Sequence, residues 1–237
     1  MVTPPSESSK PSRESGAEVS TASDFFDRQS RVFDDEYRTN PGFAERREVW
    51  RDLIVRHAKP GGLALDVGCG SGVVGELAER AAMQVTGIDP SPKMLALAAQ
   101  RLPTATLIEG TIETLAEREL SADLVLCSSV LEYVNDLARS ISVLAAATRP
   151  GGYLIVSLPN AEALYRHVES IVYRLVGRPG YRAHVRHLLT PGSLMARCGL
   201  AAVETRYYAA HPLFARFGRV IADRRGSSMF ATVFRAP

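Results

Sequence analysis

The sequence predicts an α/β fold: one doubly wound sheet of seven strands, mostly parallel with an antiparallel C-terminal edge strand, and helices on both faces. Three observations predict it. Short, nearly all-apolar segments alternate with amphipathic helical ones between Leu63 and Leu158; glycine or proline turns separate them; and two more strand-like runs, at 202–208 and 229–234, lie close together near the end. A strand that is apolar along its whole length is buried on both faces, the condition of a parallel sheet between two helical layers.

Residues 1–23 are rich in Ser, Pro, Glu and Lys and bury too little to fold, so a disordered leader is expected there. Residues 24–60 read as packing or lid helices. Phe25, Phe26, Phe33 and Tyr37 are mixed with charges, and Pro41-Gly42 breaks the chain. From Phe43 to His57, the residues Phe43, Arg47, Trp50 and Ile54 recur at helical spacing with Leu53 and His57 alongside, ending at Pro60-Gly61-Gly62. The main domain is expected over 61–237.

Within it, the strand Leu63–Val67 is followed by Gly68-Cys69-Gly70-Ser71-Gly72 and a helical pattern through Val73, Leu77 and Ala81. A second strand, 84–88, ends at Asp89, and Pro90-Ser91-Pro92 leads into a helix carrying Met94, Leu97 and Ala98. Strands at 106–108 and 123–127 come next, then a helix face of Val134, Leu137, Ile141 and Leu144 that stops at Pro150-Gly151-Gly152, and a fifth strand at 153–158. A helical insertion is expected at about 161–189, with Leu164, Val168, Ile171 and Leu175 on one stripe. Thr190 then caps, and Pro191 opens, a crossover helix whose buried side is Leu194, Met195 and Cys198 before Gly199. The runs at 202–208 and 229–234 supply the antiparallel end.

With 28 basic and 26 acidic residues the net charge is +2, which leaves no overall field to steer a polyanion. Cys69, Cys127 and Cys198 lie far apart, with neither a disulfide framework nor a zinc-ligand spacing. The start lacks an apolar h-region and no run of about eighteen apolar residues occurs, so a cytoplasmic protein with no membrane span is expected.

The chemically informative stretch is Asp66 to Gly72. Its glycines let a ligand approach the backbone, and the helix that follows presents free N–H groups. Asp89, at the end of the second strand, is placed to accept both hydroxyls of a ribose. A nucleotide-like cofactor is implied, against the plainer reading of a tight turn. Gly70-Ser71-Gly72-Val73-Val74-Gly75 also satisfies G-x-G-x-x-G, a nicotinamide pattern, but it begins past the strand end and leaves Asp66 without a role.

LALDVGCGSG, VTGIDPS, LIEGTIETL and ADLVLCSSVLEYV, in that order, resemble the successive motifs of class I methyltransferases that use S-adenosylmethionine, over about residues 43–158. The similarity is to the small-molecule, quinone-pathway-like branch and implies a Rossmann-like domain. It further implies that Asp66 orients the cofactor's amino group, that Gly68, Cys69, Gly70 and Gly72 line its methionine and ribose parts, and that Asp89 takes the ribose hydroxyls. Pro90 and Met94 would flank the adenine, and Ser128 would border the cofactor from the fourth strand. The loop that usually reads Gly-Asp-Ala-Glu is here Gly110-Thr111-Ile112-Glu113, so Thr111 offers an uncharged oxygen, and Ile112 its backbone, to the adenine.

Methyl transfer to a hydroxyl needs an aligned acceptor and a base. His184, in HVRHLLTPGSL, lies in a segment similar to one that small-molecule members carry before the helix preceding strand six; His187 competes with it, and Arg186 would meet an anionic acceptor. Some quinone-pathway members have Glu-His where this chain has Glu132-Tyr133 and bind a divalent metal nearby; with Tyr133 in place of the His, no metal is expected. Glu132 remains a catalytic candidate, and Phe33, Tyr37, Tyr133 and Tyr165 are candidate acceptor contacts.

The basic loop Arg174, Arg178, Arg182 and Arg186 holds one aromatic, Tyr181, and Cys127-Ser128-Ser129-Val130 stands where base-methylating members resemble Asn-Pro-Pro-Tyr, so no nucleic-acid partner is expected. The expected activity is methyl transfer to an oxygen of a small secondary or cofactor metabolite. The alternatives are N- or C-methylation, a non-catalytic nucleotide-binding module, and an NAD-dependent dehydrogenase. Exposed aromatics near the start offer a surface on which two copies pair.

Overall fold

The computed structural model describes residues 25–30, 35, 40–164, 166, 171, 175, 184–210 and 224–237. The leader at 1–23, Phe33, Tyr37, Tyr165 and most of the basic loop lie outside the described residues. The strands are β1 (Leu63–Val67), β2 (Gln84–Asp89), β3 (Thr106–Glu109), β4 (Ala122–Ser128), β5 (Thr148–Pro159), β6 (Ala201–Ala210) and β7 (Ser227–Arg235). The helices are α1 (Pro41–His57), α2 (Val73–Arg80), α3 (Pro92–Arg101), α4 (Glu113–Glu117), α5 (Leu137–Ala146) and α6 (Pro191–Cys198). Residues 25–30 are also helical.

Successive side chains leave a strand on opposite faces, so each inner strand feeds two cores. Ala64, Leu124, Leu126, Ile155 and Val233 pack with Trp50, Leu53 and Ile54 of α1 and Val74 and Leu77 of α2. Leu65, Val67, Val125, Cys127, Leu154 and Val156 pack on the other side, with Ile141 and Leu144 of α5 and Leu194 and Cys198 of α6. The same parity turns Asp66, Ser128 and Ser157 toward the α1–α2 layer, which is why polar chemistry collects under α1.

The strand order is β3-β2-β1-β4-β5-β7-β6. The first five strands in that order pair in parallel, and β7 runs antiparallel to both β5 and β6. The antiparallel pairing expected at the C-terminal edge is thus present, with β7 one place in and β6 outermost. Connections leave β1 and β4 in opposite directions, which opens a crevice beyond their carboxyl ends. The cavity described below opens there.

Three boundaries differ from expectation, each for a local reason. Pro41-Gly42 begins α1 instead of preceding it: proline is suited to a first helical position, and Asn40 O accepts from Phe43 N at 3.0 Å and Ala44 N at 3.2 Å. Val134 falls outside α5, because the Asp136 side chain accepts from Arg139 N at 3.0 Å and starts the helix after it. Pro150-Gly151-Gly152 lies inside β5, where Gly151 N reaches the carbonyls of Ala236 and Pro237. Thr190 caps α6 as expected, in a reciprocal pair with Ser193, and Gly199 ends it at φ 71°. Of the insertion's apolar stripe, Leu164, Ile171 and Leu175 are exposed. No helix among the described residues is long and apolar enough to cross a membrane.

Candidate functional site

The turn after β1 is shaped by close approach. Gly68 has φ +69°, and a Cβ there would fall 2.2 Å from Val130 Cγ2, so only glycine lets β1 and the end of β4 come together. Gly70, at φ +52°, is the converse: the nearest atom to a Cβ would be Met94 Sδ at 4.0 Å, so its bare backbone faces open space. Gly68 N and Cys69 N both donate to Ile88 O, at 2.7 and 3.0 Å, which fixes the turn to the end of β2.

That open space is a cleft of about 930 Å³, counted out to its solvent mouth. Asp66, Gly68, Cys69, Gly70, Ser71, Val73 and Val74 line it from β1 and α2; Asp89, Pro90, Ser91 and Met94 from β2 and α3; and Ser128, Ser129, Val130 and Tyr133 from β4 and the loop after it. Arg46 of α1 and Phe26 complete the wall.

Two carboxylates stand in the cleft in different states of satisfaction. Asp89 accepts from Gly70 N at 2.8 Å through Oδ2 and from Ser91 N at 2.9 Å through Oδ1, leaving each oxygen a second acceptor direction. Burial raises its carboxyl, and these two bonds oppose the rise. Asp66 is 1% exposed, and its Oδ2 has no hydrogen-bond partner among the described residues. Burial pushes its carboxyl up to about 7, against the Gly75 backbone and Arg46 and with the Asp89 charge adding to the rise. A buried carboxylate oxygen without a donor is costly and fits a cationic ligand group. Arg46 donates to Ser128 Oγ at 2.5 Å, and Ser128 Oγ lies 3.3 Å from Ser157 Oγ.

Most of the expected cofactor residues converge here: Asp66, Gly68, Cys69, Gly70, Asp89, Pro90, Met94 and Ser128. Cys69 is buried, and burial raises its thiol far above the ordinary range, as suits a packing residue. Gly72 sits behind the turn against Leu102 and Ala98. Gly110, Thr111 and Ile112 are not in the lining: Thr111 Oγ1 donates to Glu113 at 2.6 Å, and Ile112 is in the core.

Among the expected catalytic residues, Glu132 is 1% exposed, beneath the cleft lining, and burial pushes its carboxyl up to about 7 against its own backbone N–H, Arg46 and Ser129. Its carbonyl accepts from Arg186 N at 2.7 Å and His187 N at 3.2 Å, and the His187 ring meets Val134 O at 2.9 Å. His187 therefore braces the segment. The Arg186 side chain is exposed. His184 lies 5.5 Å from the Phe25 ring, Phe25 and Phe26 make an edge contact at 5.4 Å, and Phe26 makes another with Tyr133 at 5.4 Å. An aromatic rim thus runs from His184 to the cleft wall. Sequence reasoning missed Arg46 and Ser91. Among the described residues no three His, Cys, Asp or Glu side chains are grouped to hold a metal ion.

A family model described as a methyltransferase domain matches residues 65–156, from the middle of β1 through most of β5. The chain is similar to a ubiquinone biosynthesis O-methyltransferase of Paracidovorax citrulli, 32% identical over 164 residues that cover 65% of this chain and 69% of that protein. It is likewise 32% identical to the protein of that name from Methylocella silvestris, where the match spans 54% of this chain and only 55% of the relative's length. The chain belongs to the class I S-adenosylmethionine-dependent methyltransferases. The solved structure of N-methyltransferase NodS from Bradyrhizobium japonicum WM9 with S-adenosyl-L-homocysteine has the same fold, with a TM-score of 0.68 at 19% identity over 92% of this chain and all of that one.

The donor set of this methyltransferase fits S-adenosylmethionine. The unsatisfied Asp66 oxygen suits an ammonium, the bare Gly70 backbone a close-lying chain, the spare acceptor directions of Asp89 a pair of ribose hydroxyls, and the Met94 and Pro90 side chains a flat apolar base.

Proposed function

We propose that the chain methylates an oxygen of a small, planar acceptor, with S-adenosylmethionine as methyl donor. The observation that carries the reading is the pairing, in one cleft, of the partnerless Asp66 oxygen with Asp89 across the glycine turn. Asp66 and Arg46 would present opposite charges to the two charged groups of the cofactor's amino-acid end, and Asp89 would take its ribose. When bound, the cofactor supplies an electrophilic methyl on a sulfonium, released in line with the bond to sulfur.

The protein's own share is placement and proton removal. Tyr133 and Phe26 form a wall against which a flat acceptor lies, and Val130 closes the floor. That aromatic wall and the O-methyltransferase relatives favour an oxygen acceptor. His184, at the end of the aromatic rim, would accept the proton of the acceptor hydroxyl.

Calorimetry with S-adenosylhomocysteine and with NAD, followed by mass spectrometry of phenolic, carboxylic and amine acceptors, tests the proposal. Binding of the first ligand and gain of one CH2 by a phenol support it. No affinity for S-adenosylhomocysteine, or gain only by amines, refutes the corresponding part.

A further inference from the structure

The helical segment at 25–30 meets the cleft wall through the Asp27 carboxylate. Asp27 Oδ1 accepts from Ser91 Oγ at 2.8 Å and Lys93 N at 3.2 Å, and its Oδ2 faces Lys93 Nζ at 2.9 Å. Ser91 is the N-cap of α3: its hydroxyl oxygen accepts from Met94 N at 3.2 Å, and its backbone N donates to Asp89 Oδ1 at 2.9 Å. Ser91 has one hydroxyl proton, given to Asp27, and a lone pair taken by Met94, so the hydroxyl is fully oriented. The fastening point is therefore the same turn that holds Asp89 and Met94 in the cleft wall.

Phe26, next to Asp27 in the chain, lines the cleft and meets Tyr133 edge-on. Apolar contact of this kind is non-directional and tolerates sliding, whereas charged hydrogen bonds fix position. Lys93 and Ser91 also hold the Asp27 carboxyl below its ordinary range, so it carries its charge at neutral pH.

We infer that Asp27 is a positioning residue: by binding Ser91 and Lys93 it seats Phe26 over the cofactor cleft and sets how long S-adenosylhomocysteine stays bound. The inference rests on the reading of the cleft as an S-adenosylmethionine site. Asp27 reaches the cleft through Ser91 and Lys93 and does not itself line it.

The test compares wild type, Asp27→Ala, Phe26→Ala, the double variant, and the charge swap Asp27→Lys with Lys93→Asp. Stopped-flow dissociation of S-adenosylhomocysteine and amide hydrogen exchange of the ligand-free protein are the readouts. Asp27→Ala is expected to speed dissociation about tenfold while association stays within about twofold. Phe26→Ala should do the same and the double variant no more, since one residue acts through the other. Exchange at 25–30 should rise in Asp27→Ala and fall back in the charge swap.

Dissociation from Asp27→Ala within about twofold of wild type, additive effects in the double variant, or unchanged exchange at 25–30 would each overturn the inference. A wild type that binds no S-adenosylhomocysteine would instead refute the cofactor reading, and the residence-time role with it. The exchange measurement, made without ligand, still decides whether Asp27 fastens the segment.

Discussion

Arg46 in α1 and Ser128 at the end of β4 are 82 positions apart in the chain and 2.5 Å apart in space. The contact brings a guanidinium onto the face where strand parity also places Asp66, and its charge opposes the rise of both the Asp66 and the Glu132 carboxyl. Arg46→Gln removes that charge while keeping a donor. Both carboxyls then rise further, a larger fraction of Asp66 is neutral at pH 7.5, and S-adenosylhomocysteine affinity is expected to fall about 10- to 100-fold. Ser128→Ala, which leaves the charge in place, should cost less than about fivefold. Titration calorimetry of the two variants checks this; equal losses would mean that the hydrogen bond matters and the charge does not.

Cofactor binding should release a proton. Burial is the chief reason the Asp66 carboxyl is pushed up to about 7, and only its ionised form pairs with an ammonium. At pH 6.5, calorimetry in buffers of different ionisation enthalpy is expected to show net proton release on binding S-adenosylhomocysteine, and Asp66→Asn should abolish it. The same shift has a stability consequence of definite sign. Asp66 and Glu132 both sit above their unfolded values, so the native protein keeps protons that the unfolded chain has lost. The contribution of these two groups to the stability of the ligand-free protein therefore falls as pH rises between about 4 and 7 and levels off above that. Thermal melts of wild type against Asp66→Asn and Glu132→Gln isolate that contribution, and differences that do not change with pH across this range would show that neither carboxyl is raised.

Gly68 and Val130 form a steric pair. A methyl at Gly68 would overlap Val130 Cγ2 and would also sit on a left-handed backbone, so two independent penalties act. Gly68→Ala is expected to destabilise by about 2–4 kcal/mol and to lose cofactor binding. Val130→Ala in the same chain should recover the overlap part, roughly half, and leave the conformational part. Gly70→Ala carries the strain without the overlap. Urea denaturation of the three variants separates the two penalties, and a double variant no more stable than Gly68→Ala would refute the pairing.

The elements that were legible in the sequence are those whose signals are local. An apolar run ending at Asp66 and a glycine cluster fix β1 and its turn, and Asp89 closes β2; these gave the cofactor end of the site. Arg46 was not legible because its role depends on how α1 lies across the sheet. The clue was present: Phe43, Arg46, Trp50 and Leu53 follow helical spacing, which puts an arginine on an apolar face. Arg47, the residue assigned to that face, instead reaches Glu76 at 3.4 Å. Ser91 was likewise read as a linker between two prolines, although its value lies in three hydrogen bonds. The adenine contacts expected of the Thr111 oxygen and the Ile112 backbone rested on motif position alone; the Thr111 hydroxyl gives its proton to Glu113 and keeps its lone pairs, and the Ile112 side chain packs in the core.

The three candidates for the base are separated by what already occupies them. His187 holds Val134 O and its own backbone N is taken by Glu132 O, so replacing it should loosen the segment and lower stability by about 1–2 kcal/mol. Glu132 is sealed in with Arg46 acting on its charge, so Glu132→Gln should shift stability with pH more than it shifts turnover. His184 has a ring contact with Phe25, the one side-chain contact it makes among the described residues, and sits at the rim, where its loss costs little stability. His184→Ala is therefore expected to lower turnover on a phenolic acceptor about 100-fold near neutral pH and to recover as pH approaches the acceptor's own pKa, since an acceptor already ionised needs no base. A pH–rate profile for His184→Ala parallel to that of wild type would remove this histidine from the reaction and leave alignment alone to account for it.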